Sequence, residues 1–269
     1  MEKRITVQIA DKDRHTELAL LLQSLRTQTY QAWDVIILDE CQTPIMSSHF
    51  LNALINRVKF EGHCVYVTNN NLSLGVCNAR NLLIERDYFD NPLVCRLDDD
   101  VVLEPDYLEK MIKVIDAGYD IASGVTPLMA HPELIRKTSV IGDIINKKEF
   151  NDKGEITKHG DDCGYCYDKE KIIRTHEFRS NALMKKEVVE KIKYETNLSP
   201  TGFREEGFFS FRAIAEGFTI GVNTTAIAYH FAAPFGGVRS NDYQQRVMSD
   251  DMYFKKWVKE FYNKLRGKL

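Results

Sequence analysis

Three consecutive aspartates, Asp98, Asp99 and Asp100, follow the apolar run Leu93-Val94-Cys95-Arg96-Leu97. Crowded carboxylates repel one another unless a cation neutralises them. Oxygen donors of this kind suit Mg2+ or Mn2+, and Mg2+ commonly joins one or two carboxylates to substrate phosphates. The plainer alternative is a solvated acidic turn, because runs of like charge usually face water. Asp39 closes a second apolar run, Val35-Ile36-Ile37-Leu38. A carboxylate there could accept a hydrogen bond from a nucleobase imide N–H or a ribose hydroxyl, or it could simply form a turn. Arg80 offers a guanidinium that matches phosphate oxygens; otherwise it is a surface arginine on a helix. Cys163 and Cys166 have C-x-x-C spacing, with His159 and His176 near them in sequence. That pattern could serve a zinc site or a redox pair. With no second C-x-x-C and no βαβ pattern around it, an unmetallated loop is expected.

These side chains need a scaffold that brings them to one edge. The first hundred residues alternate strand and helix signals: strands at 5–9, 35–38, 64–67 and 93–97, helices at 16–28, 48–58 and 76–87. Asp13 or Thr16 is the candidate N-cap of the first helix. Pro105 opens a fourth helix and Gly118 ends it, the usual asymmetry. Such alternation predicts a mostly parallel sheet covered by helices, with ligands at the carboxyl ends of its strands. From 127 to 177 helical period is scarce and charge is dense, which reads as an insertion containing a hairpin around Asn151-Asp152-Lys153-Gly154. Further signals follow: a regular run at 178–184, helices at 185–193 and 205–217, strands at 218–222 and 226–230, and a helix from about 244 to 265.

The segment Leu97-Asp98-Asp99-Asp100-Val101-Val102-Leu103-Glu104-Pro105-Asp106-Tyr107-Leu108 resembles the DxD region of family 2 glycosyltransferases of GT-A fold. Four more segments match in order. Ile9-Ala10-Asp11-Lys12-Asp13-Arg14 stands at the family's nucleotide loop, although Ala10 replaces the frequent proline. Ser24-Leu25-Arg26-Thr27-Gln28-Thr29-Tyr30 is similar to its S-L-x-x-Q-T-Y stretch. Val35-Ile36-Ile37-Leu38-Asp39-Glu40 resembles the strand with the base-recognising aspartate. Asn71-Leu72-Ser73-Leu74-Gly75-Val76-Cys77-Asn78-Ala79-Arg80-Asn81 resembles the N-x-G-x-x-x-A-R-N segment. The resemblance implies a nucleotide site formed by Ala10, Asp11, Asp13, Asp39, Arg80, Asp98 and Asp99. It implies Mn2+ or Mg2+ on Asp98, Asp100 and His230. The helix start Phe203-Arg204-Glu205-Glu206-Gly207 is similar to the family's acidic motif, which implies Glu206 as the base that deprotonates the acceptor. Glu205 is its competitor, one residue out of register, and Asn81 is expected to hold the loop.

The implied activity is inverting transfer of a sugar from a nucleotide diphosphate, UDP preferred, to a hydroxyl on a glycan or glycolipid. A nucleotidyltransferase using the same carboxylates, or a non-catalytic sugar- or nucleotide-binding module, remains open. The chain has 269 residues, 36 basic and 39 acidic side chains and a net charge of −3, with 43% hydrophobic residues. That balance excludes a disordered or collagen-like chain and argues against general nucleic-acid binding. No run approaches about 18 apolar residues. With no export signal at the N-terminus, reduced cysteines and a cytoplasmic location are expected. Four of the six cysteines, Cys41, Cys64, Cys77 and Cys95, read as small core residues. The expected organisation is a GT-A domain over 1–243, with a nucleotide half at about 1–125 and an acceptor half at about 126–243, and a C-terminal helix over 244–269. Phe254, Trp257, Phe261 and Leu265 share one face of that helix. Packing on the core is expected of it, with peripheral contact to an anionic membrane as the alternative.

Overall fold

The computed structural model describes residues 3–70, 73–131, 144–159 and 167–269. Its first half follows the βα alternation: β1 (Ile5–Asp11), α1 (His15–Arg26), β2 (Trp33–Asp39), α2 (His49–Phe60), β3 (Val65–Asn69), α3 (Val76–Glu85) and β4 (Leu93–Asp98). The spatial order is β3-β2-β1-β4, all parallel. Continuous apolar runs suit strands buried on both faces. Val35 and Ile37 pack under α1 and α2, while Ile36 and Leu38 meet Ala79 and Leu83 of α3 on the other face. The chain runs outward from β1 to β3, then returns to β4 on the opposite side of β1. This order reversal opens a crevice at the carboxyl ends of β1 and β4. The register sets Asp11 beside Asp39 and Ala10 beside Asp98.

The second half comprises β5 (Val101–Leu103), α4 (Tyr107–Asp116), β6 (Ile121–Val125), β7 (Ile144–Ile145), β8 (Lys148–Phe150), β9 (Ile156–His159), β10 (Ile172–Thr175), β11 (Ala182–Lys185), α5 (Lys186–Lys191), α6 (Glu205–Ala215), β12 (Ile220–His230) and α7 (Tyr243–Leu265). Here the sheet is mixed rather than parallel: β11 runs antiparallel between β4 and β6, β12 is parallel to β6, and β10 is antiparallel to β12. The runs at 218–222 and 226–230 form one strand with a register shift. Its polar middle stays in the sheet because Asn223 and Thr224 are bonded by Glu170 and the Lys169 carbonyl. The expected hairpin is β8–β9, turned by Asn151 Oδ1, which accepts from the backbone N–H of Lys153 and Glu155.

Several local expectations change. Arg14, not Asp13 or Thr16, occupies the N-cap of α1, without a side-chain bond. The Asp13 carboxylate instead accepts from Gln42 N–H at 2.7 Å. Cys77 and Cys95 are core residues, but Cys41 is half-buried and Cys64 exposed. The aromatic face of α7 turns inward: Phe254 and Leu265 are buried, and Trp257 and Phe261 pack against the same cluster around Phe208 and Phe211. Those side chains are thus taken up by the core, the packing expected of that face. No described helix is long and apolar enough to cross one. Cys163 and Cys166, together with Asn71 and Leu72, lie outside the described residues.

Candidate active site

β4 ends at Asp98 and β5 begins at Val101, so Asp99 and Asp100 form the turn between them. β5 pairs antiparallel with the end of β12, placing His230 opposite Val101. This pairing carries His230 Nε2 to 3.1 Å from Asp100 Oδ1. Ligand atoms of Asp98, Asp100 and His230 all lie within 4.8 Å of one another. Two oxygens and an imidazole nitrogen form a donor set that suits Mn2+ or Mg2+. Arg14 Nη1 contacts Asp99 Oδ1 at 2.7 Å and Asp100 Oδ2 at 3.1 Å. The Ala233 N–H also donates to Asp100 Oδ2.

The electrostatics show a site that seeks positive charge. Burial pushes Asp98 up to about 6, against the pull of Arg96 and with reinforcement from Asp100. Burial acts on Asp100 in the same direction, but the bond and charge of His230, with Arg14, hold it below the usual carboxylate range. His230 is correspondingly raised: burial disfavours its imidazolium, and Asp100 and Asp98 outweigh that effect.

A second network lies alongside. Arg80 donates to Asp98 Oδ1 at 2.7 Å and to Glu205 Oε1 at 2.6 Å. Arg96, buried within β4, grips both oxygens of Glu205 at 2.8 and 2.7 Å. The Tyr194 ring lies beneath both guanidiniums. Glu205 is the first residue of α6, so its neighbour Glu206 projects about 100° further round the helix. Glu206 therefore faces the cleft with its side chain 23% exposed, 3.8 Å from Arg96. Its Oε1 accepts from Ser180 N–H at 3.3 Å. Asn81 holds the 194 loop through reciprocal bonds with the Tyr194 backbone, the positioning role expected of it.

The cleft, about 690 Å³, brings together Ala10, Arg80, Asp98, Asp99, Asp100, Glu205, Glu206 and His230. Asp11, Asp13 and Asp39 are not in its lining. Asp39 is buried, with Oδ1 accepting from Cys41 N–H and Oδ2 from Ile45 N–H. Sequence reasoning missed Arg14, Arg96, Tyr194 and Lys148, which all line the cleft. Arg96 carried a usable signal, since an arginine inside an apolar strand needs a buried partner. Lys148 did not; it comes from the insertion, 2.8 Å from Asn146 Oδ1 and 3.1 Å from Glu177.

The family model described as "Glycosyl transferase family 2" matches residues 12–193, more than half of the chain. The chain belongs to glycosyl transferase family 2. No curated protein matches the sequence. Solved structures similar to this family 2 chain include GalNAc-T7 with UDP, GalNAc and Mn2+, with a TM-score of 0.62 at 13% identity over 84% of this chain and 43% of that one. S. aureus TarS 1-349 in complex with UDP gives a TM-score of 0.57 at 14% identity, over 84% of this chain and 60% of that one. The chain thus spans less than two-thirds of either neighbour. At such identities the likeness shows the fold, which is GT-A as expected.

Proposed function

We propose that this protein transfers a glycosyl group, with inversion, from a nucleoside diphosphate sugar to a hydroxyl acceptor. One observation carries the reading. The Asp98–Asp100–His230 cluster and the accessible carboxylate of Glu206 line one cleft at the carboxyl edge of β1 and β4. UDP is the preferred donor nucleotide, in keeping with the UDP named for both structural neighbours.

Asp98, Asp100 and His230 would hold Mn2+ or Mg2+, which when bound neutralises charge on the leaving diphosphate. Arg80 lies beside that cluster and adds a fixed positive charge for the phosphates. Arg14 keeps Asp99 and Asp100 oriented through its two contacts. Asp39 shapes the 41–45 loop through its two backbone bonds. Glu206 accepts the proton of the acceptor hydroxyl as its oxygen attacks the anomeric carbon. The bond from that carbon to the diphosphate oxygen breaks, and its electron pair leaves with the nucleotide. Asn146, Lys148 and Glu177 form a polar wall suited to a hydroxyl-rich acceptor, a glycan or the sugar of a glycolipid.

The experiment is a panel of nucleotide sugars with Mn2+ and candidate acceptors, reading the released nucleotide. Free UDP appearing only with acceptor and donor together is expected. Pyrophosphate release would replace the reading with nucleotidyl transfer. Nucleotide binding without turnover across the panel would leave a binding module.

A further inference from the structure

A second cluster of metal-ligating side chains lies beside the cleft and outside its lining. Asp11 ends β1, His15 begins α1, and Cys41 lies two residues beyond β2. The β1–β2 register, with Asp11 beside Asp39, brings these elements together. Cys41 Sγ is 2.9 Å from Asp11 Oδ2. A carboxylate oxygen of Asp11, a ring nitrogen of His15 and Cys41 Sγ all lie within 4.8 Å of one another. Asp11 is completely buried. Its Oδ1 and the Nε2 of His15 are sealed from solvent, and the His15 nitrogen has no hydrogen-bond partner among the described residues. Asp99 also stands within hydrogen-bond reach of the Asp11 carboxyl, a contact that opposes the upward push of burial on Asp11. A buried polar atom without a partner is costly, and a cation held with Asp11 and Cys41 would satisfy the His15 ring nitrogen. The backbone N–H of Asp13 already donates to Cys41 Sγ at 3.1 Å, an outer contact of the kind that orients a metal ligand.

We propose that Asp11, His15 and Cys41 form a zinc site of their own, separate from Asp98, Asp100 and His230. The donor set decides the metal. Thiolate and imidazole with one carboxylate suit Zn2+, whereas Mg2+ and Mn2+ prefer oxygen. Tetrahedral zinc, with bonds of about 2.0–2.3 Å, sets its donors roughly 3.3–3.8 Å apart, within reach of small side-chain adjustments here. On binding, the Cys41 thiol loses its proton to solvent and its sulfur lone pair forms the bond; water fills the fourth position. The ion would tie the end of β1, the start of α1 and the loop after β2 together, fixing the loop that presents Lys12 and Arg14 to the cleft. This proposal does not depend on the donor or the reaction assigned above.

Co2+ is the probe, because a cobalt–thiolate bond gives a near-ultraviolet charge-transfer band. In the full chain, stripped of metal, that band and intense visible bands should saturate at one equivalent of thiolate-bound Co2+, separate from Co2+ taken up by Asp98, Asp100 and His230, and Zn2+ should displace both bands. Cys41→Ser should lose the charge-transfer band, His15→Gln should weaken the Co2+ affinity read from that band at least about tenfold, and Asp100→Asn should leave the band intact. Circular dichroism of each variant separates lost binding from lost fold, and His15→Gln carries the test if Cys41→Ser fails to fold. A wild-type protein without the band would overturn the proposal. So would a band that survives Cys41→Ser, and its loss in Cys163→Ser would move the thiolate site to the C-x-x-C.

Discussion

Replacing Glu205 and Glu206 by glutamine, one at a time, should separate two roles that adjacent residues of the same type conceal. Glu206→Gln keeps the shape and the bond from Ser180 N–H but removes the ability to take a proton. A positioned general base contributes about 10²–10⁴-fold, so turnover should fall by that factor, roughly 3–5 kcal/mol in the barrier. Its thermal midpoint and UDP affinity should stay near wild type. Glu205→Gln strips the counter-charge from Arg96, which is 4% exposed, and from Arg80. Breaking a buried ion pair on one side costs about 3–5 kcal/mol. At about 2–4 °C per kcal/mol for a domain of this size, the midpoint should drop by roughly 6–20 °C. The assay is acceptor-dependent UDP release beside thermal unfolding and calorimetric UDP binding. Near-normal turnover in Glu206→Gln would refute the base assignment. Lost turnover in Glu205→Gln with an unchanged midpoint would transfer the role to Glu205 and refute the ion-pair argument.

Asp100→Asn should weaken UDP binding in the presence of Mn2+ while leaving the fold intact; equal UDP affinity of the wild type in Mn2+ and in EDTA would sink the metal assignment. Phe254→Ala empties a fully buried site packed against Phe208 and Phe211, and should cost about 3–5 kcal/mol in denaturant unfolding. A loss below about 1 kcal/mol would mean that α7 is not part of the core. His176 is held at about 4, because burial disfavours its charged form and Arg174 adds to the effect. The unfolded chain takes up the proton below about 6.5 while the folded one stays neutral, so stability falls as pH drops from about 6.5 to about 4. The full loss is about 3 kcal/mol. His176→Asn should remove that part of the pH dependence, and parallel stability curves for variant and wild type would contradict it.

The nucleotide half was legible because its signals are local. β1 alternates apolar and polar residues, β2 carries a continuous apolar run, β4 is apolar apart from Arg96 and its closing Asp98, and each helix between them has its own face, so neighbouring residues alone define the βα alternation. The carboxylates at the ends of β2 and β4 could be placed on one sheet edge for the same reason. Strand direction in the second half was not legible: the four residues of β11 carry no mark that they run antiparallel between β4 and β6. The polar stretch Asn223-Thr224-Thr225 looked like a break because the groups that satisfy it lie more than fifty positions away. The site divides along the same line. Residue types and order in the sequence pointed to Asp98, Asp100, His230 and the Glu205–Glu206 pair. Tertiary structure decided that Asp39 faces the 41–45 loop, that Arg14 clamps the acidic turn, and that Glu205 is sealed by Arg96 and Arg80 while Glu206 meets the cleft. Periodicity and composition report a side chain's near neighbours along the chain. A carboxylate's partner depends on strand register and helix rotation, which arise only when residues more than a hundred positions apart are packed together.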